Sequence, residues 1–299
     1  MTVHPMDNIP IRKLRFNFDA IEDCNPVWSR SSPDFSIFIN ALGVHVPHFE
    51  RFLVRTMREF REEINDENLS NDLKGIIGQE SHHAFNFERW TAEMNKRYTS
   101  LSKLNDRAKS YFLRATKAGS KKFKIGLTAG YETFTFTGGL IILQRYSELM
   151  EDADPTLRAL WVWHQVEEVE HGSVAFDFYK YFYPKNEWYR RGMIIFAFLH
   201  IIWETGSAYA LMIKREGFYK NPLRALRAWR FFISFGLDLF ISALPVFSKQ
   251  YHPRQHPACN TDKNVLTVAW QAYEAAGFDV QHLDDDNMDQ MLVDQSVVN

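Results

Sequence analysis

Cysteine is almost absent from this 299-residue chain: Cys24 and Cys259 are far apart and belong to no metal-type pair. That scarcity excludes a disulfide framework and indicates a reducing compartment. The first residues carry no apolar run of the signal-peptide kind, so we expect no signal peptide and a cytoplasmic protein. An excess of basic charge is also missing, since the formal net charge is -2, and nucleic acid is therefore not an expected partner.

Apolar residues, by contrast, make up 45% of the chain, and phenylalanine alone occurs 25 times, which is enough to fill a large core. No strand-length alternation of apolar and polar residues competes with helical periodicity, so we predict an all-α fold. The predicted divisions are an N-terminal arm (1–33), a helical metal-binding domain (34–257) and a C-terminal tail (258–299). Within the domain, we expect a helical bundle over 34–183 and added apolar helices over 184–257.

Four helical segments are predicted for the bundle. The first runs from Phe35 to Ile64, and Pro47 either kinks it or begins a second helix. The others are Asn71–Tyr98, Gly126–Met150 and a segment from Pro155 to about Tyr183. The stretch 107–124, between the second and third segments, is basic. For the run near Lys121 a solvated loop is favoured, with weak attraction to anionic lipid as the alternative.

One pattern occurs twice in these segments. Glu80-x-x-His83 and Glu168-x-x-His171 are each preceded by a lone glutamate in apolar sequence, Glu50 and Glu132 respectively. Residues i and i+3 lie on one face of an α-helix, so each Glu-x-x-His pair can direct two ligands at one point. The spacings fit helices that return antiparallel to the same height, with a crossover between the two halves.

Helices that contribute Glu, Glu-x-x-His, Glu and Glu-x-x-His supply the ligands of dimetal-carboxylate proteins. We therefore predict a ferritin-like four-helix bundle with a dimetal core, followed by additional C-terminal apolar helices. The six predicted ligands are Glu50, Glu80, His83, Glu132, Glu168 and His171, with Glu80 and Glu168 as bridges. Carboxylate-rich ligation favours two iron ions, with manganese or a mixed Mn/Fe pair as alternatives, over structural zinc.

Four further residues are candidates for roles around the metal ions. Glu167 competes with Glu168 as a ligand, although the i, i+3 spacing favours Glu168. His164 is a candidate hydrogen-bond donor or extra ligand, and a satisfied buried histidine is the favoured interpretation. Asp177 is either the partner of a ligating imidazole or a surface charge. Tyr131 is either a redox-active phenol or, as we favour, core packing with a satisfied hydroxyl.

These residues resemble a known family, the predicted metal-dependent hydrolases of bacteria, which are grouped with ferritin-like proteins. The resemblance covers most of 35–257 and implies a ferritin-like fold and a metal-dependent hydrolase. It is carried by Gly78-Gln79-Glu80-Ser81-His82-His83, Tyr131-Glu132, Trp161-x-Trp163-His164 through Glu168-x-x-His171, Ala175-Phe176-Asp177 and His256-Pro257. The family's first ligand helix reads aromatic-Pro-x-Gly-Glu. This chain has Val46-Pro47-His48-Phe49-Glu50, a bulkier approach to the glutamate.

Three functions are compatible with the ligand pattern. Our main hypothesis is an O2-activating di-iron oxidase or oxygenase that acts on a small hydrophobic or lipid-like substrate. The alternative is a metal-dependent hydrolase that uses a metal-bridged water, as the resemblance implies. A non-catalytic metal-storage bundle is the least favoured.

Two apolar stretches, 192–213 and 231–247, bear on partners. The first is long enough to span a bilayer, but His200 and Glu204 lie within it, and such groups are costly in a membrane. We therefore favour helices packed on the bundle, with His200 and Glu204 paired; peripheral membrane contact is the alternative. The same apolar helices need cover, which a homodimer would supply.

Overall fold

The computed structural model describes residues 4–18, 21 and 25–293, and these residues form an all-α fold, as predicted. Their only β-type pairing is an isolated bridge between Ser29 and Ala153. The helices are α1 (Pro33–Leu42), α2 (Val46–Phe60), α3 (Glu67–Arg97), α4 (Leu101–Ala118), α5 (Lys121–Gln144), α6 (Tyr146–Met150), α7 (Pro155–Glu170), α8 (Val174–Phe182), α9 (Glu187–Arg215), α10 (Pro222–Ser242), α11 (Val265–Ala275) and α12 (Asp285–Val293).

Pro47 begins a second helix rather than kinking a single one. It lies in the first turn of α2, where its missing N–H costs no helical hydrogen bond. The chain turns at Gly43 between α1 and α2, and Glu50 therefore lies one turn into a new helix.

The predicted length of the last helix of the bundle is wrong. Instead of one helix to Tyr183, α7 ends at Glu170 and α8 begins at Val174. Gly172 lies in the break, and a Cβ there would be 2.3 Å from Cδ2 of Phe136, so only glycine fits. The third helix lies earlier in the chain than predicted, since α5 begins at Lys121 and ends at Gln144, and α6 follows.

The basic stretch 107–124 is mostly helical, since 107–118 lie in α4 and Lys121 begins α5, so the solvated loop predicted near Lys121 was wrong. α4 buries Leu101, Ala108, Phe112 and Ala115, and this spacing places them on one face. The basic residues of α4 lie outside this buried set. The crossover between α3, which carries Glu80 and His83, and α5, which carries Glu132, is thus a packed helix.

Helices α2, α3, α5 and α7 carry the predicted ligands, and α2 packs on α3 as α5 packs on α7. The predicted additional apolar helices are α9 and α10. α9 packs closely on α5 at Gly130, which has no side chain. A Cβ there would lie 2.6 Å from the carbonyl oxygen of Met193. The finer assignment to the ferritin-like class stays a prediction, as do the domain boundaries.

The N-terminal arm has no helix in its described residues, yet it packs tightly on α3. A Cβ at Gly75 would lie 2.7 Å from Ile9, and one at Gly78 would lie 2.5 Å from Ile11. Arg12, the next residue of the arm, is itself buried. Cys24 lies outside the described residues, and Cys259 is a buried free thiol.

Among the described residues, α9 is the one helix that is long and apolar enough to cross a membrane. Its mean hydropathy is 1.4, and 39% of its apolar window is buried within the protein. That partial burial reflects one face packed on α5 and α1 and another face left outside.

Candidate metal centre

All six predicted ligands converge at the centre of the four helices. Glu50 comes from α2, Glu80 and His83 from α3, Glu132 from α5, Glu168 from α7 and His171 from the residue that caps α7. Each is at most 3% exposed. Their donor atoms, with those of His164, fall into two overlapping groups that could each hold a metal ion.

The first group, here called the His171 cluster, consists of Glu80, Glu132, Glu168 and His171. Nε2 of His171 lies 3.1 Å from Glu168 Oε2, 3.2 Å from Glu80 Oε1 and 3.3 Å from Glu132 Oε2. Three carboxylates from three helices therefore surround one imidazole nitrogen.

The second group, here called the His83 cluster, consists of Glu50, His83, His164 and Glu168. Nδ1 of His83 lies 3.6 Å from Glu168 Oε1 and 3.7 Å from Glu80 Oε1. Nε2 of His164 lies 3.1 Å from Glu168 Oε1 and 3.4 Å from Glu50 Oε1. Glu168 thus directs one oxygen to each cluster, and Glu80 lies between them.

His164 differs from the favoured sequence interpretation, a fully satisfied buried histidine. Its Nδ1 accepts from the amide of Gln165 at 2.7 Å, but its Nε2 is buried without a hydrogen-bond partner. Rotation of the Gln165 amide would let Oε1 accept from Nδ1, which frees Nε2 for a metal ion. The geometry therefore fits the extra-ligand alternative.

Partnerless buried atoms provide a test of whether the residues fit a metal pair. Eight nitrogen and oxygen atoms of the two clusters are buried without a hydrogen bond. They are both carboxylate oxygens of Glu50 and of Glu80, Oε2 of Glu132, Oε1 of Glu168, Nδ1 of His83 and Nε2 of His164. A buried polar atom left unpaired costs about 1–3 kcal/mol. Two cations among these oxygen and imidazole donors would satisfy all of them, so the residues fit a dimetal site.

The pKa values show that the metal-free centre retains protons. Burial raises the pKa of Glu50 and of Glu80 to about 7, and it raises the pKa of Glu132 as well. Burial opposes charge on Glu168 too, but the neighbouring imidazoles outweigh it and hold that pKa well below its ordinary value. His171 has its pKa raised well above the ordinary value because Glu168 outweighs the effect of burial. Metal ions would displace these protons.

In both His83 and His171, the ring nitrogen that faces away from the clusters donates a hydrogen bond to a neighbouring side chain. Nε2 of His83 donates to Oε2 of Glu167 at 2.9 Å, and Nδ1 of His171 donates to Oε1 of Gln79 at 2.9 Å. Such bonds fix the ring orientation and tautomer of a metal-binding histidine. Glu167 therefore faces away from the clusters while Glu168 faces into them, as the i, i+3 spacing favours.

Arg12, in the N-terminal arm, links Glu167 to Gln79 through Glu170. It donates to Glu167 Oε1 at 3.0 Å and makes a two-pronged contact with Glu170, at 2.8 Å for each bond. Gln79 donates to the same Glu170 at 2.8 Å. The continuous chain of contacts is His83, Glu167, Arg12, Glu170, Gln79 and His171.

Sequence reasoning missed Arg12, Gln79 and Glu170. Gln79 adjoins Glu80 and Glu170 adjoins His171, so their closeness to the motif was a usable signal. Nothing in the arm marked Arg12, because its partners lie more than 150 residues later in the chain.

A comparison with protein-family models adds independent information. A model described as a predicted metal-dependent hydrolase matches residues 10–257, most of the chain and all of the residues in the two clusters. The chain belongs to this family of predicted metal-dependent hydrolases. Neither a search of curated proteins nor a search of solved structures returned a significant match.

The family description identifies an enzyme that depends on metal. It agrees with the hydrolytic alternative better than with our main hypothesis of O2 activation, which gains no support from it. The two buried clusters indicate a dimetal site and leave the identity of the metal open.

Two other candidate residues of this hydrolase family member lie outside the clusters. Asp177 pairs with His252 at 3.0 Å and is half-buried, so it does not hold a ligating imidazole, and that alternative was wrong. Tyr131 is fully buried, stacks on Phe49 with ring centroids 4.2 Å apart and bonds through its hydroxyl to His200. This is the favoured role, packing with a satisfied hydroxyl.

The expected pairing within the apolar helices is only partly realised. His200 Nε2 lies 3.8 Å from Glu204 Oε1, whereas Arg107 of α4 donates to the other oxygen of Glu204 at 2.7 Å. Asp238 of α10 accepts from Arg145 at 3.0 Å. The acidic groups of both helices are therefore neutralised by cations from neighbouring parts of the fold.

Proposed function

We propose that this chain is a hydrolase that uses two metal ions to cleave an ester or amide bond in an apolar, lipid-like substrate. The observation that carries the proposal is the convergence of eight partnerless buried donor atoms in two clusters that share Glu168. The family description supports the hydrolytic chemistry.

The proposed ligands divide into two sets with shared bridges. One ion would be held by Glu50, His83 and His164 and the other by Glu132 and His171, and Glu80 and Glu168 lie between the two sets. The first position would thus offer two imidazoles and the second would offer one. The donor set of carboxylates and imidazoles suits iron, manganese or catalytic zinc.

Bound divalent ions supply Lewis-acid polarisation of a carbonyl oxygen and activation of water at neutral pH. The protein's own residues orient and shield that chemistry. Glu167 and Gln79 keep the inner nitrogens of His83 and His171 directed at the clusters. Trp163 packs edge-on against His83, with centroids 4.8 Å apart, and helps to keep bulk water out.

An apolar cavity supports the substrate class. It is bounded by α1, α5, α7, α9 and α10, and its wall is almost entirely apolar. His164 and Gln165 are part of that wall, so the cavity adjoins the His83 cluster directly. A hydrophobic substrate portion lying there would bring its reactive bond next to the metal position held by Glu50 and His164.

The test is ester hydrolysis measured with defined metal content. We expect p-nitrophenyl esters to be cleaved with and without O2, with activity lost on chelation and restored by Mn2+ or Zn2+. Glu168→Ala removes the shared ligand and should abolish activity, while Glu62→Ala, at an exposed site, serves as the matched control. Metal-loaded protein that cleaves neither esters nor amides would overturn the hydrolase proposal.

O2 activation is kept as the second candidate because four of the seven converging side chains are glutamates, a donor set that favours iron and manganese. Anaerobic Fe(II) loading followed by O2 distinguishes the two. A charge-transfer absorption band with substrate oxidation would favour the oxygenase, whereas O2-independent hydrolysis favours the first proposal. Metal storage gains no support from the family description.

A further inference from the structure

Helix α9 has an apolar outer face in addition to the face that it buries on the bundle. Its exposed large side chains are Trp188, Ile195, Phe196, Leu199 and Trp203. They recur at helical spacing and so form one stripe. Trp188 is 81% exposed and Trp203 is 64% exposed, which is far outside the normal range for tryptophan in a protein that faces only water.

Helix α10 continues this surface. It packs against α9 through Gly206, where a Cβ would lie 3.3 Å from Phe232, and the two helices form a hairpin. Its exposed apolar side chains are Leu223, Leu226, Ile233, Leu237 and Ile241, again at helical spacing. Together the two stripes make one apolar face, here called the hairpin face, which carries most of the protein's exposed large apolar residues among those described.

Positive charge borders the hairpin face at its turn. The exposed cations there are Lys214, Arg215, Lys220, Arg227 and Arg230, and none forms a salt bridge within the described part of the chain. Of the nearby acids, Glu216 is paired with Arg97 at 2.9 Å and Asp238 with Arg145 at 3.0 Å, while the half-buried Asp34 interacts with Arg227 without forming a salt bridge. An apolar face with unpaired cations and tryptophans complements an anionic lipid surface.

Two alternatives fit these observations less well. Insertion of α9 across a bilayer conflicts with Glu204, which is buried against Arg107 of α4, and with the close packing of α9 on α5. A second copy of the chain on the same face would bring its unpaired cations into the same interface, whereas anionic headgroups neutralise them.

The cavity beside the metal centre lies directly beneath this hairpin. Its outer wall includes Ile202 of α9 and Gly236 of α10, and its inner wall includes Gly138 and His164. Its cavity volume is about 50 Å³, so it is narrow. A slim alkyl chain suits this shape and its apolar wall better than a ring system does.

We propose that the hairpin face docks on an anionic lipid surface and that the cavity beneath it receives a straight alkyl chain from a lipid. Docking and alkyl-chain binding do not depend on the proposed function; only the hydrolysis of the bound lipid does. The substrate class is an acyl lipid, which enters from the hairpin face. The alkyl chain would lie between the hairpin and the bundle, with the reactive bond beside His164.

Vesicle sedimentation tests the docking step without any catalysis. We expect the protein to bind vesicles of phosphatidylcholine and phosphatidylglycerol in equal parts, and to bind pure phosphatidylcholine or high-salt samples more weakly. Leu199→Ser with Leu226→Ser should weaken binding roughly tenfold or more, as should Arg227→Glu with Arg230→Glu. Matched controls off the hairpin are Val265→Ser with Leu292→Ser and Arg58→Glu with Lys74→Glu.

Wild-type protein that stays in solution with both kinds of vesicle would overturn the docking step. So would a dimer in solution that the Leu199→Ser/Leu226→Ser variant converts to monomer, because the face would then be an interface between copies. Circular dichroism of each variant shows whether it is folded.

Binding of the fluorescent fatty acid parinaric acid tests the cavity. A Cβ at Gly138 meets only Leu239, at 3.9 Å, so Gly138→Ala should be tolerated while Gly138→Leu fills the cavity. We expect Gly138→Leu to lose fatty-acid binding at least about tenfold relative to Gly138→Ala. Equal binding by both folded variants would overturn the cavity assignment. Both assays work on metal-free protein, so their failure is distinguishable from failure of the hydrolase proposal.

Discussion

Oε2 of Glu167 lies 2.9 Å from Nε2 of His83, on the side of the imidazole that faces away from the carboxylates. Its neighbour Glu168 points the other way, with one oxygen in each cluster. Two adjacent glutamates on one helix therefore have opposite tasks. Glu167 orients an imidazole from behind, and Glu168 is the proposed bridge between two metal ions.

Replacement of Glu167 should weaken one metal position more than the other. In Glu167→Gln the side chain keeps its size but loses the charge that holds His83. We expect affinity at the His83 cluster to fall by roughly 10–100-fold, as is typical when the outer partner of a metal ligand is changed. Competition with a chromophoric chelator measures this, with Glu62→Gln as the control. Equal affinities in the two variants would contradict the orienting role.

Arg12 should be required for stability as well as for metal binding. Arg12→Ala leaves Glu167 and Glu170 buried without their cation, and breaking such a buried network costs about 3–5 kcal/mol. Arg15→Ala, at an exposed position on the same arm, should cost less than about 1 kcal/mol. Urea unfolding with and without metal measures both values. A small effect of Arg12→Ala would mean that the arm is not part of the folded centre.

His164 should matter to one metal ion only. Its Nε2 faces Glu50 and the shared Glu168, and among the described residues Glu168 is its one ion-pair partner from the His171 cluster. We expect His164→Ala to retain one tightly bound ion and to lose the second under chelator competition. His82→Ala is the matched control, because this neighbour of His83 is only half-buried and lies outside both clusters. Two ions held by His164→Ala as tightly as by the wild type would return His164 to a structural role.

The contribution of the metal-free centre to the stability of the protein should fall as pH rises from about 5 to about 8. Glu50 and Glu80 have folded pKa values of about 7, above the ordinary 4.5, so the unfolded chain releases their protons first in this window. The pKa of His83 is also raised, because its bond to Glu167 outweighs burial, and that stabilisation is lost as pH rises through the folded pKa. Glu168 acts oppositely. Folding lowers its pKa, so it stabilises the folded protein above about pH 4.5, and this contribution is lost as the pH falls through the folded pKa.

Bound metal should reverse this dependence because it replaces the protons. Thermal melting at several pH values, with and without Mn2+, checks the sign. A gain in melting temperature on Mn2+ binding that does not increase toward pH 8 would contradict the proposed proton inventory of the centre.

The convergence of the six side chains was predictable because it depends on local geometry. Glu80 with His83, and Glu168 with His171, share a helix face by the i, i+3 rule, and this holds even though α7 ends at Glu170. The N–H of His171 still bonds to the carbonyl of Glu167 at 3.1 Å, so the helical spacing continues through that residue. The choice of Glu168 over Glu167 follows from the same local rule.

The parts that were missed depend on contacts between distant segments. The break after His171 follows from the closeness of Gly172 to Phe136, which no local pattern reveals. Arg12 reaches its partners only because the arm packs on glycines of α3. α4 was misjudged for a different reason: its many cations concealed an apolar face that includes Phe112.

Metal content of the purified protein tests the central claim most directly. The account predicts two metal ions per chain in the wild type, and fewer in folded Glu168→Ala and His171→Ala variants, with Glu62→Ala unchanged. Elemental analysis by mass spectrometry, alongside circular dichroism to confirm folding, gives these numbers. Two ions per chain retained in both Glu168→Ala and His171→Ala would contradict the dimetal centre.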